Sequence, residues 1–129
     1  MGAEENKAAV ERVWQAFDAR EFERASEELH EDFVCEWPHS GERIRGRDAY
    51  IAVNRGHPDP WVSIEILRLL AEGEVVVSEV RLPVEGAEPH YALSFWEFRD
   101  GRAARLTEYW VQENSQEPYE YRAGISEPL

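Results

Sequence analysis

The chain has 129 residues, with 14 Lys and Arg against 27 Asp and Glu, a formal charge of −13. That length suits one domain, 1–129, which can bury about two thirds of its extended-chain surface without disulfide or metal staples. A hydrophobic share of 43%, with five each of Trp, Tyr and Phe, argues against disorder. The acidic excess repels polyphosphates and excludes nucleic acid and anionic membranes as partners.

Cys35 is the single cysteine, so neither an intrachain disulfide nor a multi-cysteine zinc site can form. The first dozen residues lack the apolar stretch of a signal peptide, and no run approaches the roughly 18 apolar residues that span a bilayer. A soluble cytoplasmic protein is expected.

In residues 4–20, Val10, Val13, Trp14 and Phe17 recur at i, i+3, i+4 and i+7, one stripe of an amphipathic helix. A shorter helix is predicted over 21–29, with Phe22, Ala25 and Leu29 inward. The run 32–38 changes to β-branched and aromatic residues ending at Pro38, a first strand. Residues 39–45 read as a polar loop. A third helix is predicted from Gly46 through Val53, with Gly56 just past its end and Pro58 and Pro60 beyond. The runs 61–71, 74–84, 89–99 and 102–114 are rich in strand formers. The Asp100-Gly101 pair between the last two suits a two-residue hairpin turn. The tail 115–129 is expected to be irregular, with Tyr119 and Tyr121 pinning it to the body.

The predicted order, ααβαββββ, is an α+β fold. Three N-terminal helices cannot cover both faces of such a sheet, so a strongly curved, mostly antiparallel sheet should curl round them as a cone-shaped barrel. A sheet closed at one end by helices leaves a hollow suited to a small molecule.

Three stretches carry a family resemblance. They are Trp37-Pro38-His39-Ser40-Gly41-Glu42-Arg43-Ile44-Arg45-Gly46 before a helix, Ala71-Glu72-Gly73-Glu74-Val75-Val76-Val77-Ser78-Glu79, and Phe98-Arg99-Asp100-Gly101-Arg102 followed by Glu108-Tyr109-Trp110. Over residues 7–114 the chain resembles the SnoaL-like branch of the nuclear transport factor 2-like superfamily. The resemblance implies the cone-shaped barrel, a homodimer and an apolar pocket between sheet and helices. Members include polyketide cyclases, ketosteroid isomerases, dehydratases, epoxide hydrolases and binding-only proteins, among which fold does not choose. Against the ketosteroid isomerases the chain departs at three catalytic positions. Trp37 stands where their base lies, Ser94 where their hydrogen-bonding acid lies, and Val13 near their helical Tyr. These departures argue against steroid isomerisation.

If the resemblance sets the strand faces, Phe33, Cys35 and Trp37 point inward. His90, Ala92, Ser94, Trp96 and Phe98 do so on the next-to-last strand, and Leu106, Glu108, Trp110 and Gln112 on the last. Tyr91, Leu93 and Phe95 then form a second apolar face, which suggests subunit contact through the sheet.

Glu108 is the leading acid/base candidate, because SnoaL-type cyclases use an acidic residue in the late strands. Among Trp37, Trp96 and Trp110 its carboxylate would be desolvated and its pKa raised. The alternative is a surface Glu paired with Arg105 or Arg81. His39 follows the first strand at the mouth of the cone, where an imidazole can exchange a proton with a ligand; the alternative is a loop histidine bound to Ser40 or backbone carbonyls. His90 could partner Glu108 across adjacent strands. His57 reads as a turn residue, and His30 as a helix-end residue complementing the dipole.

The four scattered histidines lack metal-ligand spacing, so no metal is expected, and no phosphate-cradling glycine loop implies a nucleotide; no cofactor is expected. Arg43, Arg45, Arg47 and Arg55 either meet a weakly anionic ligand group or balance acids such as Glu42 and Asp48. Trp14, Phe17, Trp37, Tyr50, Ser94, Trp96 and Trp110 are the expected ligand-contacting set. Two readings follow: cofactor-free acid/base chemistry (cyclisation, isomerisation or dehydration) on a small apolar metabolite, or a non-catalytic ligand-binding or dimerisation module.

Overall fold

A computed structural model describes residues 2–58 and 61–129. In it α1 (Ala3–Asp18), α2 (Phe22–Ser26) and α3 (Arg47–Arg55) pack on one face of a six-stranded sheet. Its strands are β1 (Leu29–Trp37), β2 (Glu42–Arg45), β3 (Glu65–Glu72), β4 (Val75–Leu82), β5 (His90–Arg99) and β6 (Arg102–Gln112). The spatial order is β2-β1-β6-β5-β4-β3, and only the β1–β6 pairing is parallel. The sheet is mixed, curved and unclosed, so the expected cone stands open between its β2 and β3 edges.

The α1 stripe packs as its spacing demands: Val10, Val13, Trp14 and Phe17 are all buried. The helix ends at Asp18, before Arg20, whose positive φ of 61° breaks the helical path. The Asp100-Gly101 turn forms as expected, with φ of 52° and 80° matching the twist of β5 and β6. Strand alternation also holds. Phe33, Cys35, Ala92, Ser94, Trp96, Leu106 and Glu108 are buried on the inner face, and Leu93 and Phe95 are exposed on the outer one.

Several boundaries differ from expectation. Residues 42–45 form strand β2, antiparallel to β1, with Trp37 opposite Glu42 and Val34 opposite Arg45. Its one apolar residue, Ile44, is too little pattern to announce a strand; pairing to β1 makes it one. The second helix stops at Ser26, and Leu29 opens β1 instead. His30 therefore lies in a strand, its Nε2 within hydrogen-bond distance of the Arg99 carbonyl, and complements no helix end. Strand β3 begins at Glu65. Trp61 stands apart, bridging only to Val84, and Pro60 lies outside the described residues. The tail carries one 3₁₀ turn, Glu120–Arg122. Tyr119 and Tyr121 are exposed and stack with Arg122, so they do not pin the tail to the body.

Candidate functional site

Strands β1, β4 and β6 end, and β5 begins, at the same end of the sheet, and there the C-terminal parts of α1 and α3 stand over the inner face. Between them lies a cavity of about 430 Å³. Its walls are chiefly apolar: Trp14 and Phe17 from α1, Trp37 from β1, Leu82 from β4, Trp110 from β6, and Trp61. Trp61 is held by α1, since its indole donates to the Phe17 carbonyl over 3.3 Å. The Arg20 guanidinium lies 4.3 Å from its ring and donates to its carbonyl. Polar groups come from His39, Ser40, Glu42, Asn54, His57 and His90.

Beneath this wall runs a buried polar row. Ser78, Ser94 and Glu108 are successive register partners across β4, β5 and β6, all on the inner face. The Ser78 hydroxyl oxygen accepts the indole N–H of Trp14 at 3.1 Å and of Trp96 at 3.0 Å. Glu108 Oε1 accepts the indole N–H of Trp37 at 3.0 Å and of Trp110 at 2.8 Å, while the Ser94 hydroxyl donates to Oε2 at 2.5 Å. With Trp61 on its carbonyl, all five indole donors are satisfied, as buried donors require.

Glu108 is fully buried, so the surface pairing with Arg105 or Arg81 does not occur. Arg105 binds Glu36, and Arg81 approaches Glu65 and Glu113. Burial raises the Glu108 pKa above the carboxylate range, opposed by the hydrogen bonds from Ser94, Trp37 and Trp110. It also pushes up its neighbours: burial first, then the Glu108 charge, raises both the Tyr50 phenol and the Cys35 thiol.

The candidates named from sequence fall into two groups. Trp14, Phe17, Trp37, His39, His90 and Trp110 line the cavity. Glu108, Tyr50, Ser94 and Trp96 are fully buried and are not among its lining residues. The proposed His90–Glu108 pair does not form: the register sets Glu108 opposite Ser94 and His90 opposite Gln112, four residues further along. His90 Nδ1 is buried without a hydrogen-bond partner among the described residues. The four arginines do not line the cavity, and Arg43 and Arg55 pair with Glu36 and Glu23 rather than with Glu42 or Asp48.

Sequence reasoning missed His57, which lines the cavity and packs near Trp61, and it missed Ser78. The signal for Ser78 was present, a lone hydroxyl in the inward series Val76, Ser78, Val80 and Leu82. Among the described residues no group of three or more His, Cys, Asp or Glu could hold a metal, and no helix is long and apolar enough to cross a membrane.

The sequence profile of the SnoaL-like domain matches residues 10–106. The chain belongs to this SnoaL-like family. Solved structures agree with this SnoaL-like assignment. A protein provisionally assigned as a ketosteroid isomerase, from Kribbella flavida DSM 17836, is 29% identical with a TM-score of 0.89, the match covering 98% of this chain and 91% of that one. An NTF-2 like protein of unknown function from Burkholderia xenovorans LB400 is also 29% identical, with a TM-score of 0.82 over 98% and 96%. An LEH-like epoxide hydrolase from M. tuberculosis, 24% identical with a TM-score of 0.71 over 84% of each chain, shares the fold. No curated protein matches the sequence.

Proposed function

We propose that this SnoaL-like protein binds a small, largely apolar molecule in the cavity above the Ser78–Ser94–Glu108 row. The observation that carries this reading is the wall itself: four of the five tryptophans, with Phe17, Leu82 and Ile64, surround a space of about 430 Å³. That size and lining are those of ordinary small-ligand pockets. Titrating a panel of apolar metabolites against the intrinsic Trp fluorescence tests it. Quenching or a spectral shift by some members is expected, and a silent panel overturns the reading.

A second reading, cofactor-free proton transfer, draws on His39 and His90, which both line the cavity. His90 reaches the cavity wall, and its buried Nδ1 has no hydrogen-bond partner among the described residues, so its ring is not committed to a protein acceptor through that nitrogen. Deuterium uptake from D₂O into a bound ligand, lost in His90→Ala, supports this chemistry; ligand binding with no exchange leaves a binding module. Steroid isomerisation is not proposed, because Trp37 and Ser94 hold the positions that carry acids in those enzymes.

We further propose that a second copy of the chain covers the outer sheet face, where Leu70, Leu93, Phe95, Tyr109 and Val111 are exposed.

A further inference from the structure

We propose that Glu108 is a specificity-determining positioning residue. It draws two indole donors out of the cavity, so that this end selects hydrocarbon surface over hydrogen-bond acceptors. The proposal rests on the reading of the cavity as a small-molecule site. An indole has a single N–H. Those of Trp37 and Trp110 are both spent on Glu108 Oε1, at 3.0 and 2.8 Å, while both residues line the cavity. A ligand carbonyl placed against either ring therefore meets carbon and loses its water without replacement. A hydrocarbon loses nothing there.

A carboxylate suits this task because it accepts several hydrogen bonds and needs to donate none. Its plane is set from the side away from the two indoles, where the Ser94 hydroxyl, on its register partner, holds Oε2. Every hydrogen-bond donor to Glu108 among the described residues is neutral. The nearby cation of β6, Arg105, instead binds Glu36. The site is thus an indole clamp rather than half of an ion pair. Glu108 acts on a ligand through the two rings.

The test uses two probes on one frame, tetralin and 1-tetralone, which differ by a carbonyl in place of a methylene. Both are titrated into protein carrying ¹⁵N-labelled indoles, so that affinity and the state of each indole N–H are read together. Glu108→Gln keeps an oxygen for both indoles and an amide N–H for Ser94, and it is expected to retain the wild-type ratio of affinities. Glu108→Leu frees both donors and is expected to move the ratio about fivefold toward the ketone, the worth of one net hydrogen bond. An unchanged ratio in folded Glu108→Leu, or an equal shift in Glu108→Gln, overturns the proposal.

Should Glu108→Leu not fold, Trp110→Phe serves instead. Its lost N–H was never offered to the cavity, so the ratio should hold, and a shift away from the ketone overturns the proposal. If neither probe binds the wild type, the cavity reading fails, and the clamp is judged on the indole signals alone. In Glu108→Gln those of Trp37 and Trp110 should move together while that of Trp61 stays; independent behaviour overturns the clamp.

Discussion

Ser94 and Glu108 face each other across β5 and β6, and the serine hydroxyl donates to Glu108 Oε2 over 2.5 Å. The bond helps a buried carboxylate stay charged, yet burial outweighs it together with both indole bonds, and the pKa is raised. Between the ordinary carboxylate range, about 4.3, and this raised value, the native state binds the proton more tightly than the unfolded chain. Stability from this group therefore falls as pH rises through that window and levels above it. Glu36 does the opposite. Its carboxyl is lowered, first by the hydrogen bond from Arg43, so its contribution is present above the ordinary range and lost as pH falls through the lowered value. Glu108→Gln, which cannot ionise, should gain on the wild type as pH rises from about 4. Urea melts across that range measure the difference, and a gap independent of pH would remove burial as the cause.

Ser78 holds two indoles with one oxygen. Ser78→Ala strands the buried N–H groups of Trp14 and Trp96, and a cost of about 3 kcal/mol is expected from two unsatisfied donors. In a domain of this size that lowers Tm by about 10 °C. Ser78→Thr retains the hydroxyl and should recover most of the loss. Thermal melts of the pair decide whether the hydroxyl or its volume matters.

Asn6 on α1 is buried, and neither its amide nitrogen nor its oxygen has a hydrogen-bond partner among the described residues. Asn6→Leu, which keeps the branching and heavy-atom count of the side chain while making it apolar, is expected to stabilise the fold by about 1 kcal/mol. Destabilisation in the same chemical melt would show that the amide is satisfied in solution.

Phe95 and Tyr109 meet edge-to-face on the outer sheet surface, with Leu93 and Val111 exposed beside them. Sedimentation of the wild type at tens of micromolar should report a dimer, and Leu93→Glu a monomer with unchanged far-UV circular dichroism. A monomeric wild type would dismiss the sheet-mediated pair.

Local chemistry made much of the fold legible in the sequence. The α1 stripe and the Asp100-Gly101 turn need only neighbouring residues to read, whereas the family resemblance set Ser94, Trp96 and Glu108 inward, because both faces of β5 carry apolar side chains. Strand β2 was not legible, because Ile44 alone gives no period and its pairing with β1 is nonlocal. The burial of Glu108 could be anticipated from strand parity and three tryptophans. Its partners could not, since Trp37 approaches through the parallel β1–β6 pairing and Trp110 through the turn of its own indole. His90 shows the same limit. Parity placed it on the inner face with Glu108, but only the register shows that Gln112 faces it.

The parallel pairing of β1 with β6 joins the first strand of the chain to the last. Its consequence is temporal. While the chain is being synthesised, β1 emerges with only β2 to pair with, and its other edge stays unpaired until β6 leaves the ribosome. Completion of the sheet must await the C-terminal third of the polypeptide, and the loop it closes, from Cys35 to its partner Leu106, is more than half of the chain. A truncation before Arg102 would therefore leave an aggregation-prone fragment rather than a smaller version of the same cone.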